Sequence, residues 1–238
     1  MAEQRFTAFA QNRTAGVAEI DEGLRAFMLK VYNYMGLGLA LTGAVAFFTS
    51  SSPALMQAIF GSPLQWLVML SPFAFILVLS FGINRLRPAT AQLLFWAFAG
   101  VMGLSLSSIF IVYTGTSIAR VFFITASVFG AMSLYGYTTK KSLASWGSFL
   151  FMGLIGVVIA MVVNMFLASS ALHFIISVAG VLVFTGLTAY DTQQIKQDYY
   201  AGDGAVVVEK KAIMGALRLY LDFINLFIML MHLLGQNR

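Results

Sequence analysis

The sequence predicts an all-α polytopic membrane protein with seven transmembrane helices, and three observations carry that reading. Of 238 residues, 60% are hydrophobic and only 10% are charged, where a soluble domain has about 25% charged residues. Charge is absent from Val31 to Asn84, Pro88 to Ala119, Val121 to Thr139 and Ser142 to Tyr190, and at about 20 apolar residues per crossing these stretches hold roughly six helices. A seventh apolar segment, Ala212 to Leu234, carries Arg218 and Asp222 near its start.

Taken in order, residues 1–30 form a polar, mixed-charge arm with Glu3, Arg5, Arg13, Glu19, Asp21, Glu22, Arg25 and Lys30. The arm has no signal-peptide apolar region, so the first span stays as an anchor. Residues 31–234 make a single membrane domain and residues 235–238 a short tail. The spans are expected at Val31 to Thr49, Leu64 to Ile83, Ala89 to Tyr113, Ile118 to Tyr137, Leu143 to Phe166, Leu172 to Asp191 and Ala212 to Leu233. Pro53 and Pro63 bracket the first loop, Pro88 restarts the chain after the second and Gly115 marks the third, while Pro72 falls inside the second span, where it can kink the helix. The longest internal connection is expected from Thr192 to Lys211.

Orientation follows from the basic residues. Arg5, Arg13, Arg25 and Lys30 in the arm, Arg85 and Arg87, Lys140 and Lys141, and Lys196, Lys210 and Lys211 put eleven on one side, against Arg120 alone in the opposite loops. The positive-inside rule places the N-terminus in the cytoplasm. Seven full crossings put the C-terminus outside, whereas a re-entrant last segment returns it. The net charge of +5 is scattered among short loops and forms no nucleic-acid patch. The absence of cysteine excludes disulfides, thiol chemistry and cysteine-based metal sites. Small residues four apart, Gly36, Ala40 and Ala44, then Ala99, Gly103 and Ser107, then Ala126 and Gly130, are read as helix-packing faces. The methionines and phenylalanines are read as lipid-facing and packing residues, and no cofactor is implied.

Two acids interrupt the apolar runs. An ionisable group inside a bilayer span costs at least a few kcal/mol and generally faces a protein or water-filled interior. Asp191 ends the sixth apolar run and Asp222 opens the seventh. The structural reading of Asp191 is an exposed helix-end acid. That of Asp222 is an ion pair with Arg218, four residues earlier on the same helix face. Helix six leaves the membrane on the side where helix seven begins, so the two acids can meet. Two carboxylates in hydrogen-bond range away from bulk water share one proton; protonated, they hold the helices together, and ionised, they repel and admit a cation. Arg85 and Arg87 serve topology or, alternatively, neutralise one acid as a latch, a role for which Arg218 is a further candidate.

These residues resemble a known family. Met35-Gly-Leu-Gly-Leu, Gly103-Leu-Ser-Leu-Ser-Ser, Tyr135-Gly-Tyr-Thr-Thr-Lys140-Lys141 and, more specifically, Thr188-Ala-Tyr-Asp191-Thr-Gln and Leu219-Tyr-Leu-Asp222-Phe-Ile-Asn225-Leu resemble the Bax inhibitor-1, or transmembrane Bax inhibitor motif, family in its bacterial form. The resemblance covers roughly Val31 to Leu234. It implies six helices forming a shell around the last, in a bacterial inner membrane, and a pH-sensitive calcium leak gated by an aspartate pair. Asp191 and Asp222 match that pair, and Arg85, with Arg87 as the alternative, matches the basic partner. Ser142 stands where many relatives carry an acid, and the second span lacks the acid that some relatives have along the pore. Two carboxylates with a few carbonyls make a weak, transient calcium site, which suits passage. The lipid bilayer and calcium are thus the expected partners.

Two other classes compete. The resemblance also implies a regulator that associates with a membrane-bound quality-control protease, a role that could rest on the arm; deletion of residues before Arg25 would then weaken partner binding and spare a leak. Tyr190-Asp191 with Asp222 also resembles an intramembrane aspartyl protease. That enzyme's second acid sits in Gly-x-Gly-Asp, whereas Tyr220-Leu221 precede Asp222 and the nearest earlier glycine is Gly215. No zinc-protease or serine-hydrolase motif occurs, and His173 and His232 read as isolated core or interface histidines. No enzyme activity is expected.

Overall fold

A computed structural model describes residues 2–238, with side chains from Glu22 onward. Met1 and the arm side chains before Glu22, Arg5 and Arg13 among them, lie outside the described residues. The described residues form helices α1 (Ala2–Ser50), α2 (Pro53–Phe60), α3 (Leu64–Gly82), α4 (Pro88–Leu106), α5 (Ile109–Val112), α6 (Gly115–Thr138), α7 (Ala144–Leu167), α8 (Ser170–Asp198) and α9 (Ala205–Leu234). Seven are long and apolar enough to span a bilayer, with α4 and α5 together supplying one.

Local sequence sets the ends. Ser52, Thr114 and Ser169 cap α2, α6 and α8 by accepting a backbone N–H three residues on, which satisfies one of the donors a helix start leaves open. Pro53 and Pro88 occupy first helical turns, where no N–H is needed. The first loop thus contains a short helix, and Gly115 opens α6 instead of standing in a loop. The third span breaks at Ser107 and Ser108 between α4 and α5.

The larger difference lies around the two acids. α8 continues seven residues beyond Asp191, and α9 begins seven before Ala212. The connection between them shrinks to residues 199–204. Of the added turns, Thr192 to Asp198 is mostly polar, and Ala205 to Lys211 is cut off from the apolar run by Glu209, Lys210 and Lys211. Neither turn continues an adjacent apolar run, so such a run does not reveal them. Asp191 is therefore about two turns inside a helix, not an exposed end.

α9 is the axis of the bundle. In its most apolar stretch 72% of residues are buried, against 11–33% for the other six spans. α1, α4, α6 and α8 carry the main contacts to α9, while α3 packs on α4 and α7 on α8 to complete the shell of six. The packing is aromatic at two levels. Phe95 and Phe98 stand edge-on to Tyr220 at 6.3 and 5.1 Å between ring centres, and Phe122 and Phe129 pack on Phe223. The Tyr220 hydroxyl lies 2.6 Å from Thr42, whose hydroxyl is also 2.8 Å from the Ala99 carbonyl. Thr42→Val should cost about 1 kcal/mol by stranding the buried phenol, a loss measurable by denaturant unfolding in detergent.

The small-residue faces divide. Gly103 lets α1 approach α4, since a Cβ there would lie 2.7 Å from the Thr42 carbonyl oxygen. Gly36, Ala40 and Ala44 instead face outward, the two alanines lining an apolar cleft of about 560 Å³, and Gly130 faces a second cleft between α1 and α6. The packing expectation is corrected for these four: among the described residues no neighbouring helix covers them.

The last four residues fix where α9 ends in the bundle. Gln236 accepts from Thr114 N–H at 3.1 Å and donates to Ser117 Oγ at 2.9 Å, and Arg238 N–H donates to the Val112 carbonyl. Arg120 reaches the Leu234 carbonyl at the end of α9. At the other end Lys210 donates to the Asn84 carbonyl in the α3–α4 loop. A 30-residue helix is about 45 Å long, so α9 runs from one end of the bundle to the other and is long enough for a full crossing.

Candidate functional site

α8 and α9 run antiparallel, and small residues set their spacing. Gly180 lies against Met229 and Gly215 against Ile195. That register brings Asp191 of α8 to Asp222 of α9, with the two carboxyl groups at side-chain hydrogen-bonding range. Asp222 is 5% exposed, and its Oδ2 is buried without a hydrogen-bond partner among the described residues. The Asp191 side chain is 14% exposed. A buried carboxylate oxygen without a donor is costly, so a proton between the two acids, or a cation, is what this geometry calls for.

Arg218 behaves differently from the helix-spacing expectation. Its Nη1 lies 3.9 Å from Asp191 Oδ1, across the helix pair. No Arg218–Asp222 ion pair forms, because Asp222 turns into the α8 contact while the half-exposed guanidinium stays at the mouth. At 3.9 Å this is a charge contact and not a hydrogen bond. Arg85 and Arg87 are exposed in the α3–α4 loop, and neither forms an ion pair with Asp191 or Asp222 among the described residues. Of the three arginines considered as a latch, Arg218 is the one that lies beside the acid pair.

The three groups line a cleft of about 520 Å³ with Ser148 and Phe151 of α7, Tyr190 of α8 and Asn225 of α9. Gly147 makes room for the Tyr190 ring, since a Cβ there would lie 2.6 Å from it. Asn225 Nδ2 donates to the Leu221 carbonyl at 2.8 Å, leaving its amide oxygen available. Among the described residues no group of three or more His, Asp or Glu gathers as a metal cage, so any cation here is held by the acid pair and neutral oxygens.

The motifs around the pair fix α8. Gln193 holds the α6–α7 connection through the Lys141 carbonyl (2.9 Å) and the Leu143 N–H (2.7 Å). Lys196 donates to the Tyr137 carbonyl at 2.8 Å and lies over its ring. Gly136 lets the Ala189 carbonyl touch α6. Ser133 links Tyr32 at 2.7 Å to Thr192 at 3.0 Å, tying α1, α6 and α8.

Sequence reasoning missed Glu209. It accepts from Lys30 and Tyr34, fastening the start of α9 to α1. The signal was an acid beside Lys210 and Lys211 on a run that reads as helical, masked by treating residues 192–211 as a loop. His173 and His232 are not isolated either, their ring centres being 4.6 Å apart.

Comparison with known proteins agrees with this architecture. Residues 24–238 match the family described as "Inhibitor of apoptosis-promoting Bax1". An uncharacterized protein of Rickettsia prowazekii is 51% identical over 232 residues, covering 98% of this chain and 96% of the relative. One from Caulobacter vibrioides is 46% identical over 230 residues, covering 92% of each. The inner membrane protein YbhL of Escherichia coli is 44% identical over 229 residues, covering 95% of this chain and 98% of YbhL.

Proposed function

The chain belongs to the Bax inhibitor-1 family, and from that premise we propose that it is a pH-sensitive calcium leak gated by Asp191 and Asp222 between α8 and α9. The observation that carries the reading is the buried meeting of two carboxyl groups, one with an unpartnered oxygen, in a cleft that also holds a cationic side chain. With one proton between them the acids draw α8 and α9 together. Loss of that proton leaves two like charges in a poorly hydrated place, and they separate. The opened pair offers carboxylate oxygens to a divalent cation. Calcium takes six to eight oxygens, and two acids with Asn225 and water fall short of a tight cage, so the ion can leave again. Arg218 beside Asp191 opposes cation entry until it moves aside.

The resemblance to YbhL supports placement in a bacterial inner membrane. The Lys and Arg distribution supports a cytoplasmic N-terminus, and the full crossing of α9 then puts Arg238 outside. The aspartate cleft accordingly opens near the cytoplasmic face.

Calcium entry into liposomes bearing the purified protein, followed from pH 5 to 8, tests the reading. Flux above empty liposomes that rises with pH supports it. Absence of flux at every pH from folded, inserted protein contradicts it and favours the regulator of membrane-protein turnover.

A further inference from the structure

At the opposite end of the α8–α9 pair, two imidazoles meet. His173 lies in the first turns of α8, about five helical turns from Asp191 and so on the same face. His232 lies in the last turn of α9. Their rings are 4.6 Å apart and inclined at 49°, and both residues are exposed. The nearby charge is committed elsewhere, since Arg120 donates to the Leu234 carbonyl at 3.1 Å.

We propose that His173 and His232 form a transition-metal site that bridges the outer ends of α8 and α9, with zinc as its representative ion. Two neutral imidazoles on separate helices supply nitrogen donors of the kind that zinc, nickel and copper prefer. Zinc–nitrogen bonds of about 2.0–2.1 Å require small rotations of rings already this close. Water fills the remaining positions, which makes the site open and exchangeable. Calcium, which seeks oxygen, does not compete for it. A bound ion fastens the same two helices that carry the acids, about five turns away along α8 and about three along α9, while the site itself does not depend on the leak.

Thermal unfolding of the untagged full-length protein in detergent, with and without zinc chloride, tests the proposal. Zinc in excess over its dissociation constant should raise the wild-type midpoint by roughly 2–4 °C, reversed by EDTA. His173→Gln, His232→Gln and the double variant should lose the shift, and calcium chloride should produce none through these residues. Both positions are exposed, so the variants should keep the wild-type midpoint without metal. No zinc shift in wild type, or an equal shift in the double variant, overturns the proposal. Because the readout is stability and not flux, its outcome is separable from that of the leak.

Discussion

Asp191→Asn and Asp222→Asn are each expected to leave a calcium flux that no longer responds to pH between 5 and 8. Asparagine keeps the size and polarity of aspartate but removes the titrating proton, so the change isolates ionisation from packing. In the wild type one shared proton separates the closed from the repelling pair, and a single proton limits the response to about tenfold per pH unit. The sign follows from the chemistry: low pH keeps the proton and closes the pair, and rising pH removes it and opens the path. Asp222→Asn should also change the level of the flux more than Asp191→Asn does, because Asp222 is the more buried of the two and carries the unpartnered oxygen. Arg85→Gln and Arg87→Gln, made in exposed loop residues, should retain the wild-type pH profile. A variant series in which the arginines and not the aspartates abolish the response would move the gate to the α3–α4 loop.

Gly136→Ala is expected to destabilise the protein by about 1–3 kcal/mol, as overpacking in a close-packed interior does. A Cβ at residue 136 would overlap the Ala189 carbonyl oxygen, and backbone cannot rotate away as a side chain can. α6 and α8 would have to part at a point two residues from Asp191, so the pH response should weaken as well. Gly130→Ala on the same helix is the matched control. Nothing lies within 4 Å of its added carbon, and alanine favours a helix by up to about 1 kcal/mol over glycine. Chemical denaturation of both variants in one detergent separates crowding at the α6–α8 contact from any general effect of removing a glycine.

The seven crossings were legible because a bilayer span is a length of apolar sequence, and that signal needs no tertiary information. The acids were legible for the converse reason: charge inside such a run is conspicuous. Helix ends were less so. The polar turn after Asp191 and the turn before Ala212, broken from the apolar run by Glu209, Lys210 and Lys211, carry no span signal, and only the packed structure shows that they extend α8 and α9. The choice of partner for Arg218 was likewise hidden. Spacing along one helix favoured Asp222, but the antiparallel register of α8 and α9 presents Asp191 to the guanidinium instead. His173 and His232, 59 residues apart in the chain, meet only because that same register carries one helix start to the other helix end.

The separation of α8 from α9 is the event on which the leak depends, and a reversible lock tests it most directly. The chain contains no cysteine, and a Cβ at Gly215 would lie 3.0 Å from Ile195 Cγ2, close to the spacing a disulfide requires. Calcium entry at pH 8 into liposomes bearing Ile195→Cys/Gly215→Cys should be blocked when the pair is oxidised and restored on reduction. Equal flux from the oxidised and reduced forms, with the disulfide verified, would contradict gating by the parting of these two helices.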